Sequence, residues 1–92
     1  MIVDVVIPPK QYVDLRTLVP AELKQAAIIF QNKIPEYLYY KDGATKPEVG
    51  EDGNKPGFGV GYFAQQVADA SDVNIWLYSE KGGYIAVQEF RG

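Results

Sequence analysis

The stretch Val73 to Phe90, VNIWLYSEKGGYIAVQEF, sets two apolar runs on either side of a Lys-Gly-Gly and constrains the fold more than any other part of the chain. Side chains alternate across a strand, so a one-residue change in the connecting loop moves every cross-strand partner to the other face. A two-residue loop at Lys81-Gly82 or Gly82-Gly83 mixes aliphatic and aromatic residues on both faces. A three-residue loop, Lys81-Gly82-Gly83, pairs Glu80 with Tyr84 and Leu77 with Val87. Val73, Ile75, Leu77, Ile85 and Val87 then share one face, while Trp76, Tyr78, Tyr84 and Phe90 gather on the other. The sequence thus predicts a closing β-hairpin whose turn uses glycine in the left-handed region.

Upstream, Ile2 to Ile7 is β-branched and alternates, which predicts a strand with Val3, Val5 and Ile7 on one face, Ile2, Asp4 and Val6 on the other, and Pro8-Pro9 ending it. Tyr12 to Thr17 alternates too and suggests a second, short strand. Pro20 at a first helical position and Glu22 in the first turn predict a helix over Pro20–Asn32. Its apolar stripe is Leu23, Ala26, Ala27, Phe30 and Ile34; Ile28 falls on the polar side, either as a lone exposed isoleucine or as a contact with another chain. Glu36 to Tyr40, EYLYY, reads as a strand. Lys41 to Gly59 carries five glycines and two prolines and reads as one long flexible loop, with a weak hairpin around Gly50 to Gly53 as one form it could take. Val60, Phe63, Ala64 and Val67 recur at helical spacing, which favours a second helix over Gly61–Ala70 against a competing strand over Phe58–Phe63. The expected architecture is a single α+β domain over residues 1–92, with a mostly antiparallel sheet packed against one or two helices.

The 92-residue chain contains no cysteine and no histidine. Disulfides, thiolate nucleophiles, zinc-finger and iron–sulfur ligation, and every His-based catalytic arrangement are excluded. Carboxylate pairs such as Glu80 with Glu89, or Glu48 with Asp52, are the remaining acid–base option, and nothing in the sequence selects one of them. No metal or cofactor is expected. Asp52-Gly53-Asn54 opens like a calcium loop but puts Pro56 at the fifth position and Phe63 at the twelfth, where a bidentate glutamate belongs. Gly57-Phe58-Gly59-Val60-Gly61 lacks the spacing of a dinucleotide or P-loop cradle. A net charge of −3 and a pI near 4.8 argue against nucleic acid. The N-terminal residues carry neither a signal-peptide pattern nor a membrane span, so a cytoplasmic location is expected.

Aromatic residues make up 13% of so small a chain, which turns attention to binding. The expected function is a non-catalytic protein-binding module: a small inhibitor, immunity or adaptor protein, or a subunit of a homo-oligomer. The expected partner surface is Trp76, Tyr78, Tyr84 and Phe90 with Ile28 and the long loop, unless the protein's own loop or second helix covers the aromatic face. On composition alone, a compact, acidic, cysteine-free chain also suits the inhibitors and immunity factors of phages and mobile elements. The competing expectation is a small-ligand or nucleotide site built from Tyr37, Tyr39, Tyr40, Gly57, Gly59 and Gly61.

Overall fold

A computed structural model describes residues 1–91 and contains eight strands: β1 (Ile2–Ile7), β2 (Tyr12–Asp14), β3 (Ile28–Asn32), β4 (Leu38–Asp42), β5 (Phe58–Val60), β6 (Gln65–Ala68), β7 (Ile75–Tyr78) and β8 (Gly83–Glu89). They form two antiparallel four-stranded sheets in the orders β1-β8-β3-β6 and β2-β7-β4-β5. Pairing is nested: β1 with β8, β2 with β7, β3 with β6 and β4 with β5. That is the strand order of a jelly roll, one long hairpin rolled so that its two arms alternate between facing sheets.

The α+β expectation is overturned. Pro20 does start a helical turn, but it is a 3-10 turn over Ala21–Leu23, and by Ile28 the chain is extended. In β3, Ile28, Phe30 and Asn32 point inward while Ile29 and Gln31 point out. Ile28 is 0% exposed and packs in the core, so it does not line a surface. Its misfit on the helical wheel was the signature of a two-residue period. The expected second helix is likewise strand β6, and β5 lies within the competing strand window.

The expected hairpin is also absent, since β7 and β8 lie in different sheets. Ser79 to Gly82 carries the chain from one sheet to the other, with Gly82 at φ 72° where a side chain would meet the Ile7 carbonyl. The inward–outward sorting nevertheless survives: Ile75, Leu77, Ile85 and Val87 are buried, whereas Val73, before β7, is exposed. Two strands in facing sheets turn their aliphatic sides to the same interior just as a hairpin turns them to one face.

The core joins Val5, Ile7, Ile85, Val87, Ile28 and Phe30 of the first sheet to Ile75, Leu77, Leu38, Tyr40 and Val60 of the second. Phe30 meets Tyr40 edge-on at 5.7 Å between ring centroids. Leu15, Val19, Leu23 and Ile34, from the connections, complete the same cluster. No helix among the described residues is long and apolar enough to cross a membrane.

Candidate binding surfaces

The two outer faces of the sandwich differ in what lies on them. On the second sheet, Tyr12, Tyr78 and Tyr39 stand in one cross-strand row, with Asp14, Trp76 and Lys41 in the next. Residues 43–57, which link β4 to β5, fold back over this face. The Tyr12 hydroxyl donates to the Pro56 carbonyl at 2.6 Å, and the Trp76 indole N–H donates to the Gly43 carbonyl at 2.7 Å. Lys55 Nζ sits 5.8 Å from the Tyr78 ring centroid and 6.0 Å from that of Tyr39. Tyr12 and Tyr78 are buried as a result. The loop turns tightly on itself, with Gly50 N–H donating to Asn54 O and Gly53 N–H to Gly50 O, and no strand forms there. It ends at Gly57, where φ is 112° and an added Cβ would lie 2.7 Å from the Tyr40 carbonyl carbon. Glycine is therefore required for the chain to rejoin β4.

The expected aromatic face is accordingly divided. Trp76 and Tyr78 belong to the covered face of the second sheet, Tyr84 lies on the outside of the first, and Phe90 follows β8 at the surface. Tyr12, the residue the loop holds most directly, was missed by the sequence reading. Its signal was the alternation of Tyr12 against Val13, which puts it on the face that Trp76 and Tyr78 share.

Among the described residues, no element lies over the outer face of the first sheet. Its rows are Ile2, Gln88, Ile29 and Val67; then Asp4, Ala86, Gln31 and Gln65; then Val6 beside Tyr84. Ile2, Val6 and Tyr84 are 68%, 56% and 57% exposed. Asp4 and Lys33 pair at 3.5 Å along its margin.

Of the six residues expected to bind a ligand, the structure brings three together. Tyr37 lies across Gly59 and Gly61, where added Cβ atoms would sit 3.1 Å and 3.7 Å from its ring. Tyr39 faces the loop, Tyr40 is buried in the core, and Gly57 ends the loop. Tyr62 and Phe63, absent from the sequence-based set, stack beside Tyr37's glycines with ring centroids 4.0 Å apart.

Two buried polar residues fix these surfaces. Asn32, fully buried, donates to the carbonyls of Glu36 and Val60 and accepts from Ile34 N–H. Arg16 donates to four backbone carbonyls, those of Leu23, Ala26, Asp69 and Asp72, at 2.6–3.0 Å. Asp14 accepts from the backbone N–H groups of Arg16 and Ile75 and from the Asn74 amide. Among the described residues no group of three or more His, Cys, Asp or Glu could hold a metal ion.

Burial, reinforced by the neighbouring Tyr78 and Tyr39 hydroxyls, pushes Tyr12 up to about 12 from 10.0. Burial and then Asp72, Asp42 and Asp69 push Tyr40 to about 12, against the opposing charge of Arg16. Tyr78 is raised by burial and by its bond to Glu80. These groups are neutral in the fold, and in the unfolded chain they ionise from pH 10. Their contribution to stability is therefore complete below pH 10 and lost as pH rises from 10 to about 12. In an alkaline titration, the tyrosinate absorbance of these three of the seven tyrosines is expected to appear late, together with loss of the near-ultraviolet dichroism. Unchanged curves for Tyr12→Phe and Tyr40→Phe would contradict this.

Fold and surfaces together define a small antiparallel jelly-roll sandwich with one face closed by its own loop and one face bare. The chain matches no protein-family model, no curated protein and no solved structure.

Proposed function

We propose that the chain is a non-catalytic protein-binding module that docks through the outer face of its first sheet. The observation that carries this reading is the asymmetry of the sandwich. A loop lies over the aromatic rows of one sheet, while Ile2, Val6 and Tyr84 of the other are left in water. The bare face mixes these apolar residues with the amides of Gln31, Gln65 and Gln88, a make-up that suits a separable interface better than a permanent one. Without histidine or cysteine the chain offers neither an imidazole base nor a thiolate nucleophile, which is compatible with a binding role.

The occupant proposed is a second copy of the chain. Asp4 and Lys33 place both signs of charge at neighbouring points on the margin, so a two-fold contact can set Asp4 of each copy against Lys33 of the other. Sedimentation velocity across a range of concentrations tests it. The wild type is expected to show a concentration-dependent dimer, and Val6→Glu with Tyr84→Glu to weaken it at least about tenfold, since each buries a charge at the contact. Both sites are exposed, so the variant is expected to keep its thermal midpoint nearly unchanged. A wild type that stays monomeric throughout would sink self-association. An inhibitor or adaptor role for the same face would then require a different protein that the wild type retains and the variant does not.

A further inference from the structure

We propose a second site on the molecule: the turn Gly61–Ala64, with Tyr37 beside it, is a platform that binds a neutral saccharide. Tyr62 and Phe63 are adjacent in sequence, exposed, and stacked at 4.0 Å with 22° between their planes. To achieve this, Phe63 adopts φ 64°, a left-handed conformation that a bulky residue rarely takes and that persists only where its surroundings enforce it. The enforcement is visible. Phe63 N–H donates to Asn32 O at 2.7 Å, Asn32 N–H to Ala64 O at 3.0 Å, Ala64 N–H to Gly61 O at 2.9 Å, and the Gln31 amide to Phe63 O at 3.0 Å. A turn selected only for connectivity would carry glycine or asparagine at that position.

The platform borders a shallow depression of about 310 Å³ lined by Pro35, Glu36, Tyr37, Gly61 and Tyr62, at the small end of the range for ligand sites. Its two walls are the Pro35–Tyr37 segment and the Gly61–Tyr62 turn, and buried Asn32 ties them together. The Asn32 backbone holds the turn, and its side-chain amide holds the Glu36 and Val60 carbonyls at 2.7 and 2.9 Å. The geometry is therefore set before any ligand arrives, which lowers the ordering cost of binding.

The chemistry of the walls selects the ligand class. No Lys or Arg lines the depression, and the protein carries −3 overall, so phosphorylated and other anionic ligands are disfavoured. Flat aromatic faces attract the weakly positive C–H face of a pyranose ring, and a neighbouring acceptor orients its hydroxyls. Glu36 supplies the acceptor. Its Oε2 takes the Ser79 hydroxyl at 2.5 Å and Lys81 N–H at 2.8 Å, and the Glu80 backbone N–H also acts on the carboxylate, which fixes it and leaves further acceptor capacity for a ligand hydroxyl. Burial alone would raise the Glu36 pKa, but these bonds and the Lys81 charge outweigh it and hold the carboxyl below its usual 4.5. It is thus an acceptor at neutral pH.

The test is calorimetric and chemical-shift titration of the intact chain with a panel of neutral oligosaccharides: cello-, chito-, manno- and galacto-oligosaccharides. At least one is expected to bind with a dissociation constant in the millimolar range or tighter, perturbing Tyr37, Tyr62 and Phe63. Tyr37→Ala and Tyr62→Ala, both at exposed positions, are each expected to weaken that binding by about tenfold, the usual loss on removing a stacking ring. Phe63→Asn relieves the left-handed backbone while removing a ring. It is expected to retain or raise the thermal midpoint yet lose affinity, an outcome a purely structural turn would not give. Val6→Glu with Tyr84→Glu is expected to leave saccharide binding intact, which separates this site from the protein-docking face. Failure of all four series to bind, binding that survives both tyrosine substitutions, or capture of an apolar peptide in place of any sugar would each overturn the proposal.

Discussion

Arg16→Met is expected to destabilise the protein by about 3–5 kcal/mol, enough to unfold most of a domain of this size at modest temperature. Arg16 is 5% exposed, and its guanidinium meets backbone carbonyls from two separate segments: Leu23 and Ala26, in and just after the 3-10 turn, and Asp69 and Asp72 before β7. No carboxylate forms an ion pair with it within 4 Å among the described residues. Burial lowers its pKa, and the nearby charges of Asp72 and Asp14 work against that. Each charge-assisted bond is worth roughly 1.5–3 kcal/mol, and the bonds are not additive because they share one group. Methionine fills part of the volume but leaves the Leu23, Ala26 and Asp72 carbonyls without the Arg16 donor, while Asp69 O keeps its bond from Asp72 N–H. Arg16→Lys keeps the charge and loses the planar fork, so its loss is expected to be about half as large. Urea unfolding of the three proteins measures it, and a loss under about 1 kcal/mol for Arg16→Met would show that water can replace the cage.

The second large effect is at Ile28. Ile28→Ala is expected to cost about 2–5 kcal/mol, and Ile28→Asp to prevent folding by placing an unpaired carboxylate between the sheets. The experiment also separates the two readings of this segment. On the polar side of a surface helix, either substitution would change stability by only about 0.5 kcal/mol. In the observed strand the side chain is fully enclosed, beside Phe30 on the same inward face.

That contrast explains how much of the fold was legible in the sequence. Strand β1 and the division of its residues between two faces, the strand in EYLYY and the inward aliphatics of β7 and β8 were readable, because alternation of β-branched residues is a local signal. The segment Ala26 to Asn32 was not. AAIIFQN satisfies a helical stripe through Ala26, Ala27 and Phe30, and equally a strand through Ile28, Phe30 and Asn32. Only the destination of Ile28 distinguishes them, and that depends on a sheet the segment itself helps to build. The same limit produced the false hairpin. A turn rich in glycine can join neighbours in one sheet or cross between two, and alternation is blind to the difference.

The surfaces were legible in part. The sequence offered Tyr37, Gly59 and Gly61 as candidates, but their contact joins segments 22 and 24 residues apart and is set by the alignment of β4 with β5. The covering of Trp76 and Tyr78 by residues 43–57 depended on contacts such as Tyr12 to Pro56, 44 residues apart. The aromatic pair at Tyr62 and Phe63 was hidden because the residues were assigned to a helix. A helix would have turned them to different sides, whereas the turn places them face to face.

The nested pairing also sets a timetable for folding. The β4–β5 pair, linked by residues 43–57, closes the smallest loop of the roll, and every outer pair must bridge a longer one, up to Ile2 with Gln88. Chain-closure entropy grows with each layer, and native contacts this distant in sequence belong to proteins that fold in milliseconds to seconds. Chain-closure entropy therefore favours assembly from the middle of the chain outward. The loop that closes one face of the mature protein is, on that clock, its starting point, and shortening it should accelerate folding more than a change of equal size at either end.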